Sequence, residues 1–168
     1  FHHPGHRQPI PRLLADDISV PLRTPGQEAS REFAWSPDGS RIAYLTRSSN
    51  GQPGFLALAA ADGSAPVRLA DLSQYIASLN GAAKPIWSPD GSRIALNCDG
   101  LCIAGVDGSF LKVPEAMWVN SLTWSRDGAR VYVGVWNVGI HVVDVVGGRV
   151  SPLLVSDFRE FADLDVRR

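Results

Sequence analysis

One phrase constrains this chain more than any other feature. "WSPDGSRIA" at Trp35–Ala43 returns letter for letter at Trp87–Ala95, and as "WSRDGARVY" at Trp124–Tyr132. A catalytic motif has to occur once, because one site does the chemistry. A phrase that recurs at intervals marks a structural unit stacked on copies of itself. The tryptophans stand at 35, 87 and 124, so the unit recurs after 52 and then 37 residues, which brackets the roughly 40 to 50 residues of a four-stranded blade.

Within each unit the same order of elements is expected. A short strand ends in the tryptophan (Phe33–Trp35, Pro85–Trp87, Leu122–Trp124). The turn S-P-D-G or S-R-D-G then reverses the chain. Pro37 and Pro89 preset φ, Asp38, Asp90 and Asp127 bond the local backbone, and Gly39, Gly91 and Gly128 accept positive φ. Second strands are expected at Arg41–Thr46, Arg93–Asn97 and Arg130–Trp136. Third strands follow at Phe55–Ala59, Leu101–Val106 and Ile140–Val145, and fourth, edge-like strands at Pro66–Leu69, Phe110–Val113 and Val150–Leu154. In "RIAYLT" both alternating sets are largely apolar, as in a strand covered on both faces. The fold class is therefore all-β, with blades at about 31–70, 83–114 and 119–155.

The order of these motifs resembles the TolB-like β-propeller repeats, a WD-repeat-like group with the signature W/F-S-P-D-G-x-x-I/L-A followed by a strand and a D-G turn. "FAWSPDGSRIAYLT" and "PIWSPDGSRIALNCDG" match it; the third copy departs at Arg126 and Tyr132. The resemblance covers about Phe33 to Leu154 and implies a segment of a six- or seven-bladed propeller. Partial flanking blades are expected at Val20 and Leu22 on one side and at Phe161–Val166 on the other. Residues 1–15 read as a tail or linker and 16–168 as the propeller segment. A chain beginning with Phe1 rather than Met reads as a processed chain or an excised piece.

Composition narrows the function classes. With 168 residues, 45% of them hydrophobic, the chain can bury a core. Sixteen basic residues against seventeen acidic ones give a net charge of −1, so no electrostatic footprint for nucleic acid is expected. No apolar run is long enough for a membrane span. There is no G-x-S-x-G elbow and no phosphate-binding glycine loop, so no catalytic residues and no cofactor are assigned. The repeated Asp-Gly pairs lack the alternating carboxylates of a calcium loop, and His2, His3 and His6 have no nearby ligand to complete a metal site.

A few residues stand outside the repeat. Cys98 and Cys102 flank "DGL". A two-residue loop at Asp99-Gly100 would point them to opposite faces, whereas a three-residue loop would set them opposite one another and permit a disulfide. Tyr75, in the long insertion between the first two blades, and Trp118 and Trp136 are candidate partner-binding aromatics. His141 has no visible Ser or Asp partner. The function expected is a non-enzymatic scaffold that binds a protein partner or the remainder of the propeller, in the periplasm or elsewhere outside the cytoplasm. The alternatives are the gating propeller of a prolyl oligopeptidase-type peptidase whose catalytic domain lies elsewhere, and the sensory propeller of a regulator.

Overall fold

In the computed structural model, residues 27–48, 53–76, 84–113, 119–135 and 138–155 are described. They form twelve strands: β1 (Gln27–Trp35), β2 (Arg41–Ser48), β3 (Pro53–Ala60), β4 (Val67–Asp71), β5 (Ile86–Trp87), β6 (Arg93–Asn97), β7 (Leu101–Gly105), β8 (Phe110–Val113), β9 (Val119–Trp124), β10 (Arg130–Val135), β11 (Gly139–Asp144) and β12 (Val150–Val155). No helix occurs among the described residues. The strands make three four-stranded sheets, each a simple meander in chain order: β1-β2-β3-β4, β5-β6-β7-β8 and β9-β10-β11-β12. All pairs are antiparallel. The expected tail at 1–15 with His2, His3 and His6, the flanking strands at Val20 and Leu22 and at Phe161–Val166, and Trp118 and Trp136 lie outside the described residues.

Strand positions follow the expected order, with shifted limits. β1 starts at Gln27, well before Phe33, and carries a register shift between Ala29 and Phe33. β10 ends at Val135, and β5 holds only Ile86 and Trp87.

The sheets stack because their middle strands are apolar on both faces. Every residue of β7 is buried. Cys102 and Ala104 turn toward the first sheet, in a core with Ala43, Leu45, Leu56, Leu58, Ile94 and Leu96. Leu101 and Ile103 turn the other way, into a core with Val131, Val133, Val143 and Trp124 of the third sheet. A strand covered on both sides loses side-chain contact from either neighbour if the stack opens, so the sheets depend on one another for burial.

A meander also sorts its connections. The β1–β2 and β3–β4 turns leave one end of the first sheet, and the β2–β3 and β4–β5 connections leave the other; the later sheets repeat the rule. Contacts between sheets keep like ends together. Arg41 of the first sheet donates to Gly91 O at the second sheet's first turn, 3.2 Å, while Asn97 at the opposite end donates to Val119 O of β9. The molecule thus has a turn end, built of tight turns of which five in six hold an Asp-Gly pair, and a loop end, where the connections run from three to fourteen residues and share no repeated sequence.

Candidate functional site

At the turn end the repeated residues form one hydrogen-bonded unit in three copies. Ser36 Oγ donates to Asp38 Oδ1 at 2.6 Å and accepts from the Arg41 amide at 2.9 Å. Ser88 with Asp90 and Arg93, and Ser125 with Asp127 and Arg130, repeat both bonds at the same distances. The aspartate also accepts from the amide two residues on, Ser40, Ser92 or Ala129. These serines are buried, and the glycines sit at φ between +68° and +71°, where a Cβ would be strained. Donated hydrogen bonds, led by the serine hydroxyl, pull the Asp38 and Asp90 carboxyls from 3.8 to about 2. Serine hydroxyls likewise lower Asp62, Asp107 and Asp127.

The repeated aromatic joins one blade to the one before it. Trp87 Nε1 donates to Ala34 O, and Trp124 Nε1 to Ile86 O, both at 3.0 Å. In each case the acceptor is the carbonyl just before the preceding tryptophan. Pro37 Cδ lies 3.7 Å from the point where a Cβ on Gly91 would be, and Pro89 Cδ 3.8 Å from that on Gly128. The Arg41 guanidinium lies 5.4 Å from the Trp87 ring centroid. The motif residues at this end are thus occupied in turns and blade contacts. No group of three or more His, Cys, Asp or Glu capable of holding a metal occurs among the described residues.

The loop end is where the sequence singled out other residues. Asn97 pairs with Leu101 and Leu96 with Cys102, so Cys98-Asp99-Gly100 is itself the three-residue loop. This register is neither of the two drawn from sequence: Cys98 lies in the loop and Cys102 on the strand, and a disulfide joins them with Cα atoms 5.8 Å apart. Asp99 turns the corner at φ +55° and Gly100 at +139°, conformations that let a loop this short close. Lys112 caps it. Its ammonium donates to Cys98 O and, at 3.1 Å, to Asp99 O, and lies 3.4 Å from Cys98 Sγ. Burial lowers the Lys112 pKa, and the nearby Asp99 charge opposes that shift.

Tyr75 comes from the turn after β4, where its amide donates to Leu72 O. Its ring packs against Phe110 of the second blade, centroids 5.4 Å apart, and lies 5.8 Å from the Lys112 ammonium. Tyr75 is therefore half-buried and bridges two blades. His141 lies on β11 opposite Val133 and Pro152; its buried Nδ1 has no hydrogen-bond partner. Sequence reasoning missed three contributors. The turn serines were legible, since Ser precedes x-Asp-Gly in all three copies, but Arg41 and Lys112 act across distances that no local pattern reveals.

No protein-family model matches the chain. It is 28% identical over 138 residues to the uncharacterized peptidase YuxL of Bacillus subtilis, a match covering 80% of this chain and 20% of that protein. Among solved structures, a candidate TolB from Agrobacterium tumefaciens superposes with a TM-score of 0.54 and 20% identity, over 76% of this chain and 47% of its own. A candidate 6-phosphogluconolactonase from Bacteroides uniformis superposes at 0.49 with 18% identity, over 75% of this chain and 39% of its own. The chain thus spans a fifth of the peptidase and about half of the TolB candidate. What the TolB likeness shows is the fold: the chain is built as consecutive four-stranded blades of a TolB-like β-propeller.

Proposed function

We propose that this propeller is a non-catalytic scaffold that binds a protein partner through its loop end, in the cell envelope. The observation that carries the reading is the asymmetry of the two ends. At the turn end the repeated chemistry is consumed internally: each Ser and Asp of the repeat is bonded to its own turn. At the loop end the connections vary, the Cys98–Cys102 loop is fixed by a disulfide and by Lys112, and Val138 stands 41% exposed. Variable loops on a rigid scaffold are the usual place for recognition. A disulfide suits an oxidising compartment.

A second reading has its own support. The likeness to a peptidase covers 80% of this chain, and a propeller in such a protein would gate a catalytic domain carried elsewhere. Both readings give the loop end the contact and leave the chain without a nucleophile.

One experiment separates them. A photo-crosslinking residue is placed at Val138, on the loop end, or at Val146, which is 87% exposed on the turn end, and the chain is incubated with an envelope fraction. The scaffold reading expects one defined adduct from position 138 and none from 146. Adducts that label with a fluorophosphonate serine-hydrolase probe would favour the peptidase reading. Equal adducts from both positions, or none, would overturn the loop-end assignment.

A further inference from the structure

Cys98, Cys102 and Lys112 bring reactive groups together in a way that neither functional reading uses. The two sulfurs stand in unequal positions. Cys102 sits on β7, paired with Leu96 on one side and with Lys112 on the other, so it moves only if a central strand unpairs. Cys98 lies outside that ladder, in the three-residue loop, next to the exposed Asp99. Both cysteines are fully buried while their bond is intact. Local opening of the loop brings Cys98 out and leaves Cys102 in place.

Charge separates them further. The carbonyls of Cys98 and Asp99 hold the Lys112 ammonium, which stands 3.4 Å from Cys98 Sγ. An ammonium at that distance stabilises a thiolate, and the thiolate is the form of a cysteine that attacks. Asp99 is the opposing charge at the loop and acts on Lys112, and the Tyr75 ring lies 5.8 Å from the ammonium. The buried side chains clustered with both cysteines, such as Leu45, Leu56, Leu72 and Ile76, are apolar.

We propose that Cys98 is a site of thiol–disulfide exchange, attacking a disulfide carried by another molecule, with Cys102 as the resolving thiol. In the reduced chain the Cys98 thiolate attacks one sulfur of the external disulfide, which forms a mixed disulfide and expels the other sulfur as a thiolate. The Cys102 thiol then gives its proton to solvent and attacks Cys98 Sγ. That step restores the bond seen in the structure and releases the second external sulfur as a thiolate. The cysteine pair is oxidised by two electrons and the external disulfide is reduced by two.

The test follows the reaction of the reduced chain with dithiodipyridine, an uncharged aromatic disulfide, by the thione it releases. Cys102→Ser keeps Cys98, and Cys98→Ser keeps Cys102; the first should react at least tenfold faster, with both circular dichroism spectra unchanged. An ordinary thiol, titrating at about 8.5, gains about 25-fold in rate from pH 7 to pH 9. Cys102→Ser should gain less than tenfold, and adding Lys112→Met should restore the ordinary gain. The ratio of the two rates follows the charge at the sulfur, and uncapping the loop alone would raise both rates alike. Equal rates for the two single-cysteine chains, or a ratio that Lys112→Met leaves unchanged, would overturn the proposal. Should a cysteine variant fail to fold, the reduced chain without substitutions is labelled with substoichiometric iodoacetamide and mapped. Label on Cys98 supports the proposal, and label on Cys102 or on both alike overturns it.

Discussion

Ser88 and Asp90 show how much of the repeat is turn chemistry rather than function. The Ser88 hydroxyl is buried and would be costly without a partner; Asp90 accepts its proton, and the Arg93 amide donates to its oxygen. The same bonds define a pH dependence. Asp38 and Asp90 titrate near 2 in the folded chain and at an ordinary 3.8 outside it. As pH falls the unfolded chain takes up protons first, so the stability these groups provide is complete above about pH 4 and is lost as pH falls toward 2. Replacing both by Asn should flatten the thermal midpoint between pH 4 and pH 2, measured by circular dichroism, and lower it at pH 7. At Gly91, φ of +68° and the Pro37 ring 3.7 Å from the missing Cβ set a second expectation. Gly91→Ala should cost about 1–2 kcal/mol in urea denaturation, the penalty of placing an L-residue in the left-handed region. Gly91→Asn, which tolerates that region, should cost less.

Between elements, the tryptophans carry a bond that their shape alone does not explain. Trp124→Phe keeps the ring but leaves Ile86 O without its donor, and should cost about 2 kcal/mol. Trp35→Phe, with the indole 38% exposed, should be nearly neutral in a chemical-denaturation series. The disulfide belongs at this scale too. Its cysteines are four residues apart, so in the chain-entropy account it restricts the unfolded chain by only about 2 kcal/mol. Reduction by a dithiol should lower stability by no more than that while freeing the loop that Lys112 caps, seen as faster amide exchange at Asp99 and Gly100. How far these elements were legible depended on range. The hairpins were plain because Pro, Asp and Gly act within four residues. The cysteine register was not, because a shift of one residue there rests on Asp99 adopting positive φ. Tyr75 was picked out as a candidate partner-binding aromatic, yet its neighbours Phe110 and Lys112 sit on another blade, beyond any local pattern.

For the whole molecule, a stack of blades behaves as a row of units coupled through nearest neighbours. The second blade is the test case, since its strands are buried against both others: Leu96 belongs to the core shared with the first blade, while Ala95 of the same strand belongs to the core shared with the third. Leu96→Ala removes a fully buried side chain and should cost roughly 2–5 kcal/mol. The loss should also travel. Leu45 and Leu56 of the first blade pack in the same cluster, so amide protection should fall in β2 and β3 as much as in β6 and β7. Val143→Ala, in the core between second and third blades, should leave β2 and β3 protected while loosening β10 and β11. If both substitutions lower protection evenly through all twelve strands, the blades unfold as one block and the nearest-neighbour picture fails. If Leu96→Ala spares the first blade, its stability does not depend on the second, and the repeated tryptophan bond is ornament rather than coupling.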